Sequence, residues 1–176
     1  MLNSIVLSLL VLFLNFQNHD IYTDHLTKIN NRKKLDVYLK KKINATTAGK
    51  AFSAILVDIN NFKQINDTYG HSMGDQALET TAKLLKGCLE VNDFIARFGG
   101  DEFCLILDIS DRNELESLVC RINKRLDNYN QSDSHPYSLG LSMGYAVYNS
   151  RLHKNAENFL KQIDILMYQE KKSSKS

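Results

Sequence analysis

Helical and strand patterns alternate between residues 32 and 172 in the order α-β-α-β-β-α-β-α, and no other feature narrows the fold as far. Strands joined by a tight turn pair antiparallel, and interleaved helices cover the sheet. The order therefore predicts an α+β domain with a mostly antiparallel sheet of four or five strands. Residues 32–43 (RKKLDVYLKKKI) place Leu35, Leu39 and Ile43 on one face of a basic amphipathic helix, which ends before the loop NATTAGK. AFSAILVDI, starting at Ala51, is a compact apolar run without helical spacing, hence a buried strand, with Asp58 at its end. Residues 72–89 are helical, with Ala77, Leu78, Ala82, Leu84 and Leu85 as the apolar set. DFIARFGGDEFCLIL reads as two β runs joined through Gly99-Gly100, a hairpin. Asp111 caps a helix over 111–129 that carries Leu115, Leu118, Val119, Ile122 and Leu126 at helical spacing. YSLGLSMGYAVY is a strand whose glycines permit close approach, and residues 155–172 form a last helix using Phe159, Leu160, Ile163, Leu166 and Met167.

A chain of 176 residues with 43% hydrophobic and 24% charged residues and one Pro is one globular domain with a short extension; disorder, collagen and a multi-span membrane protein are excluded. A net charge of +2 is too balanced to support nucleic-acid binding, so an anionic ligand must be held by local chemistry. Cys88, Cys104 and Cys120 fit neither a zinc site nor a disulfide framework, which points to a reducing, cytoplasmic compartment. Residues 1–23 contain the apolar run IVLSLLVLFL, about 15 residues with its flanks and so short for a full span. It reads either as part of a membrane helix or anchor or as a soluble helix packed on a partner or on the domain. If it inserts, Lys28, Arg32, Lys33 and Lys34 keep the rest of the chain in the cytoplasm. Residues 173–176 form a polar tail.

Asp58 ends a buried strand while Asp101 and Glu102 sit at a hairpin turn, so three carboxylates can meet at one edge of the sheet. Hard oxygen ligands of this kind suit Mg²⁺. An Asp-Glu pair after Gly-Gly is, taken alone, more often a solvated turn.

Longer strings decide between these readings. Arg97-Phe98-Gly99-Gly100-Asp101-Glu102-Phe103, the block VDINNFKQINDTYGHSMGDQAL at 57–78, Asp24-His25-Leu26-Thr27 with Asn31-Arg32, Ser142-Met143-Gly144 and DILMYQEK at 164–171 occur in one order over residues 24–172. This series resembles the GGDEF family, the diguanylate cyclases. The resemblance implies a palm-like sheet related to nucleotide cyclases, and the joining of two GTP molecules into cyclic di-GMP with loss of two pyrophosphates. It implies a Mg²⁺ (or Mn²⁺) site made by Asp58, the carbonyl of Ile59, Asp101 and Glu102. Asp101 would also help activate the attacking 3′-hydroxyl, and Lys63 would stabilise charge in the transition state. Asn66, His71 and Asp75 fall at the guanine nucleotide, Asn66 and Asp75 on the base edge, and Lys171 and Lys175 at phosphate. Gly70 and Gly74 bracket a turn expected to bring backbone N–H groups to phosphate. Each domain holds one GTP, so a homodimer is implied.

The chain departs from the family pattern at three places. Asn60 stands where a second Asp is common. The product-binding R-x-x-D window reads Glu90-Val91-Asn92-Asp93, with an acid in place of the arginine. Lys175 replaces an arginine near the end of the chain and lacks its bidentate fork. A catalytically weak GTP-binding module that regulates a partner is the alternative function; the intact Asp101 and Glu102 argue against it.

Overall fold

The computed structural model describes residues 6–8, 21–46, 51–132, 135–153 and 155–173. The elements run β1 (Asn30–Asn31), α1 (Arg32–Thr46), β2 (Ser53–Ile59), α2 (Phe62–Tyr69), α3 (His71–Lys86), β3 (Phe94–Arg97), β4 (Glu102–Leu107), α4 (Arg112–Asn130), β5 (Leu141–Val147) and α5 (Ala156–Ser173). They form the expected α+β domain, with a five-stranded sheet in the order β1-β3-β4-β2-β5. Every pairing is antiparallel except that of β1 with β3. β2 is buried along its whole length, because it lies between β4 and β5 and is covered on both faces.

Alternation along the strands divides the core in two. On one face Ile55, Val57, Phe103 and Leu105 pack under α3 and α4, whose Ala77, Leu78, Leu85, Leu115 and Leu118 are buried. On the other, Ala54, Leu56, Cys104 and Ile106 pack under α1 and α5 through Leu35, Leu39, Phe159 and Ile163. Asp111 caps α4 by accepting the Glu114 N–H at 3.0 Å.

Two elements differ from the sequence reading. α2 precedes the expected helix, and the two are separated at Gly70, whose φ of +84° lies in the region glycine adopts without strain. β1 is two polar residues long and carries no readable period; its place on β3 is held by a hydrogen bond of 2.8 Å from the Asn30 side-chain amide to the Ile95 carbonyl. All three cysteines are free thiols. Among the described residues no helix is long and apolar enough to cross a membrane. Most of the apolar run of residues 1–23, together with Lys175, lies outside the described residues.

Candidate active site

Strand register builds the centre of the site. Glu102 opens β4 directly opposite Asp58 on β2, and Asp58 is opposite Ser142 on β5. Opposed residues share a face, so the three side chains form a row across three strands, on the face covered by α1 and α5. Ser142 donates to the Asn60 side-chain oxygen at 2.6 Å, which gives the amide at that departure position a structural partner.

The turn between β3 and β4 sets the edge of the row. Phe98 N–H donates to the Glu102 carbonyl at 2.8 Å, and the guanidinium of Arg97 holds the Gly100 carbonyl at 2.6 and 3.1 Å. The same guanidinium reaches both carboxylate oxygens of Asp24 at 3.3 Å. A Cβ on Gly99 would stand 2.3 Å from the Glu102 carboxylate, so the turn lies directly over the end of that side chain. On the other side, Ile59 N–H donates to the Asp101 carbonyl at 3.2 Å and ties the end of β2 to the turn. Asp58, Ile59, Asp101 and Glu102 are thereby gathered at one edge, as the sequence reading expects.

The charges there repel one another. Burial first, then the negative charges of Asp58, Asp101 and Asp164, push the Glu102 carboxyl above its usual range, while Arg32 pulls the other way. Arg32 is held nearby, its guanidinium 4.4 Å from the centre of the Phe98 ring. Among the described residues no three His, Cys, Asp or Glu side chains are converged into a ready metal cage. The oxygen-only donor set and its mutual repulsion nevertheless fit a hard divalent cation.

The Lys171 ammonium donates to the Asp58 carboxylate. α5 reaches that far because it lies directly on Gly144, where a Cβ would stand 2.1 Å from the Ile163 carbonyl and 2.5 Å from Met167 N. Its last turn is anchored by the Glu170 carboxylate, which accepts the Met143 N–H.

The expected nucleotide residues lie at the α2–α3 junction. Lys63 is exposed on the first turn of α2, and His71 and Asp75 are exposed on α3. The half-buried Asn66 has its side-chain oxygen against Gly74, where a Cβ would come within 1.9 Å of it; this brings Asn66 beside the turn of α3 that carries Asp75. Gly70 and Gly74 bracket the turn that opens α3. Gly70 N–H donates to Asn66 O at 2.9 Å and Gly74 N–H to Gly70 O at 3.3 Å, so helical bonding engages both amides. The sequence gives Arg97, Asp24, Arg32 and Asp164 no role at this site beyond membership of the motif strings.

The family model for the diguanylate cyclase GGDEF domain matches residues 21–176. The chain belongs to the GGDEF family. Over 169 residues this GGDEF domain is 31% identical to the diguanylate cyclase DosC of Escherichia coli K12, covering 94% of the chain and 36% of that protein. The chain thus spans about a third of the length of this curated relative. A crystal structure of the coiled coil and GGDEF domain of DgcB from Caulobacter crescentus, in complex with c-di-GMP, superposes with a TM-score of 0.87 at 23% identity, covering 97% of this chain and 91% of that one. This likeness shows the fold. The GGDEF domain of DgcB by itself matches with a TM-score of 0.79 at 25% identity, over 86% of this chain and 91% of that one.

Proposed function

We propose that residues 24–172 form a diguanylate cyclase domain that condenses two GTP into cyclic di-GMP and two pyrophosphates, with Mg²⁺ or Mn²⁺. The observation that carries this reading is the Glu102–Asp58 row, closed at its edge by the Arg97-held turn that carries Asp101. The relatives named diguanylate cyclase support it.

Each 3′-oxygen attacks the α-phosphorus of the other GTP, the bond to pyrophosphate breaks, and the hydroxyl proton must leave. Asp101, at the tip of the turn, accepts that proton. When bound, the divalent cation neutralises triphosphate charge. Asp58 and Glu102, with the Ile59 carbonyl, hold it. Lys63, exposed at the start of α2, supplies positive charge to the phosphates as the bond breaks. Guanine presents N1–H and N2–H donors that suit the Asp75 carboxylate, and acceptors that suit the Asn66 amide. His71 lies at the same nucleotide, and Lys171 and Lys175 contact phosphate. Because one domain holds one GTP, two copies must face each other. The domain works on the cytoplasmic side, where GTP is supplied and free thiols persist.

Asp101→Ala tests the assignment. Loss of a carboxylate contact and of proton transfer is expected to lower GTP turnover at least about a hundredfold with the fold intact by circular dichroism. Turnover near the wild-type rate would place the centre elsewhere.

A further inference from the structure

Lys171 and Asp58 are assigned to different ligands in the proposed reaction, phosphate and cation, yet their side chains are bonded to each other. The pairing is built in by the packing of α5. Gly144 lets the helix backbone touch β5, and Glu170 fixes its last turn to the Met143 amide. The side chain of residue 171 is thereby delivered over the Asp58–Ser142 pair. Both partners are shielded, with side-chain exposures of 28% for Lys171 and 12% for Asp58, so the ion pair is screened less than a surface pair.

An ammonium on a carboxylate oxygen occupies the approach that a divalent cation needs, and the two positive charges repel. A triphosphate, carrying several negative charges, is a better partner for the ammonium than one carboxylate. We propose that Lys171 is a positioning residue that holds the Asp58 carboxylate closed until a nucleotide triphosphate draws the ammonium away, so that cation and nucleotide enter together. The inference rests on the cyclase reading for the identity of the two ligands. Its consequence is that Lys171 makes cation binding and nucleotide binding mutually dependent, and such coupling is reciprocal. Lys172 offers an internal control: it adds the same charge one residue on, but its ammonium lies 4.6 Å from the centre of the Tyr168 ring.

The test is Mn²⁺ uptake by the full chain, read from the paramagnetic resonance of free Mn²⁺, without nucleotide and with a GTP analogue that cannot be cleaved between its α- and β-phosphates. Lys171→Met is expected to bind Mn²⁺ alone about tenfold more tightly than wild type, the scale of a competing hydrogen bond between charged groups, and to lose most of the gain that the analogue gives wild type. Lys171→Arg is expected to keep the weak nucleotide-free affinity, and Lys172→Met to leave it unchanged. Lys171→Gln repeats the measurement should Lys171→Met fail to fold. Wild-type Mn²⁺ affinity in folded Lys171→Met or Lys171→Gln, or an equal gain in Lys172→Met, would overturn the proposal. The cyclase reading fails on a different result, the absence of any analogue binding by wild type.

Discussion

Asp58 and Glu102 face each other across the β2–β4 pairing, so the sheet holds two carboxylates side by side at its edge. The arrangement has a cost in the absence of a cation, because burial and the charges of Asp58, Asp101 and Asp164 all act against an ionised Glu102. Glu102→Gln removes one of the repelling charges while keeping shape. In metal-free buffer at neutral pH the variant is expected to melt at a higher temperature than wild type, while addition of Mg²⁺ stabilises wild type more than the variant. Differential scanning calorimetry with and without Mg²⁺ checks this. Equal melting temperatures, with equal Mg²⁺ responses, would mean that Glu102 faces no such repulsion.

Gly144 is the contact through which α5 reaches the site. A methyl group there would meet the Ile163 carbonyl and the Met167 amide nitrogen, backbone atoms that cannot turn aside. Gly144→Ala is expected to cost about 2 kcal/mol or more, on the scale of an overpacked core, and to lift Lys171 from Asp58. Urea denaturation measures the loss; an unchanged midpoint would show that α5 can retreat freely.

Much of this fold is legible in the sequence because its helices bury regular stripes. Leu115, Leu118, Val119, Ile122 and Leu126 of α4 stand at helical spacing and are all buried. Leu166 falls on the apolar stripe of α5 by spacing, yet it is 38% exposed, since Gly144 draws the helix down on Ile163 and Met167. α2 is eight residues long with one buried side chain, Ile65, too little for a period to emerge. At the site, Asp58 and Glu102 could be placed from a strand end and a hairpin turn. The Lys171–Asp58 pair spans 113 residues and exists only through the packing of α5 on β5, which no local pattern encodes.

Asp24 supplies a pH dependence. Burial alone would raise its carboxyl, but hydrogen bonds from Thr27 and the charge of Arg97 outweigh burial and hold it below its usual range. A folded-state value below the unfolded one means that this stabilisation is fully present above the ordinary Asp range and is lost as pH falls through the lowered value. Asp24→Asn is therefore expected to be less stable than wild type at neutral pH, with the difference closing in acid. Melting temperatures across an acid series measure it, and a constant difference at every pH would contradict the assignment.

Glu90 bears on regulation. Both oxygens of Asp93 are engaged within its own hairpin, one by the Glu90 N–H at 2.9 Å and the other by the Asp108 N–H at 3.4 Å. With an acid at 90 in place of a guanidinium, attraction for a phosphate becomes repulsion, about 4 kcal/mol for unit charges about 4 Å apart at an effective dielectric of 20. Added cyclic di-GMP is expected to leave the initial rate of the domain nearly unchanged, and calorimetric titration to show no submicromolar binding. Submicromolar binding abolished by Asp93→Ala would contradict this.

The central claim is that the Asp58–Glu102 row and the Asp101 turn turn over GTP. Its most direct test is incubation of the concentrated, dimeric chain with GTP and Mg²⁺ or Mn²⁺, followed by chromatographic separation of the nucleotides. The expected result is cyclic di-GMP accumulating with two pyrophosphates per product, and the same preparation carrying Asp101→Ala yielding almost none. GTP left intact by a preparation shown to be dimeric would contradict the account.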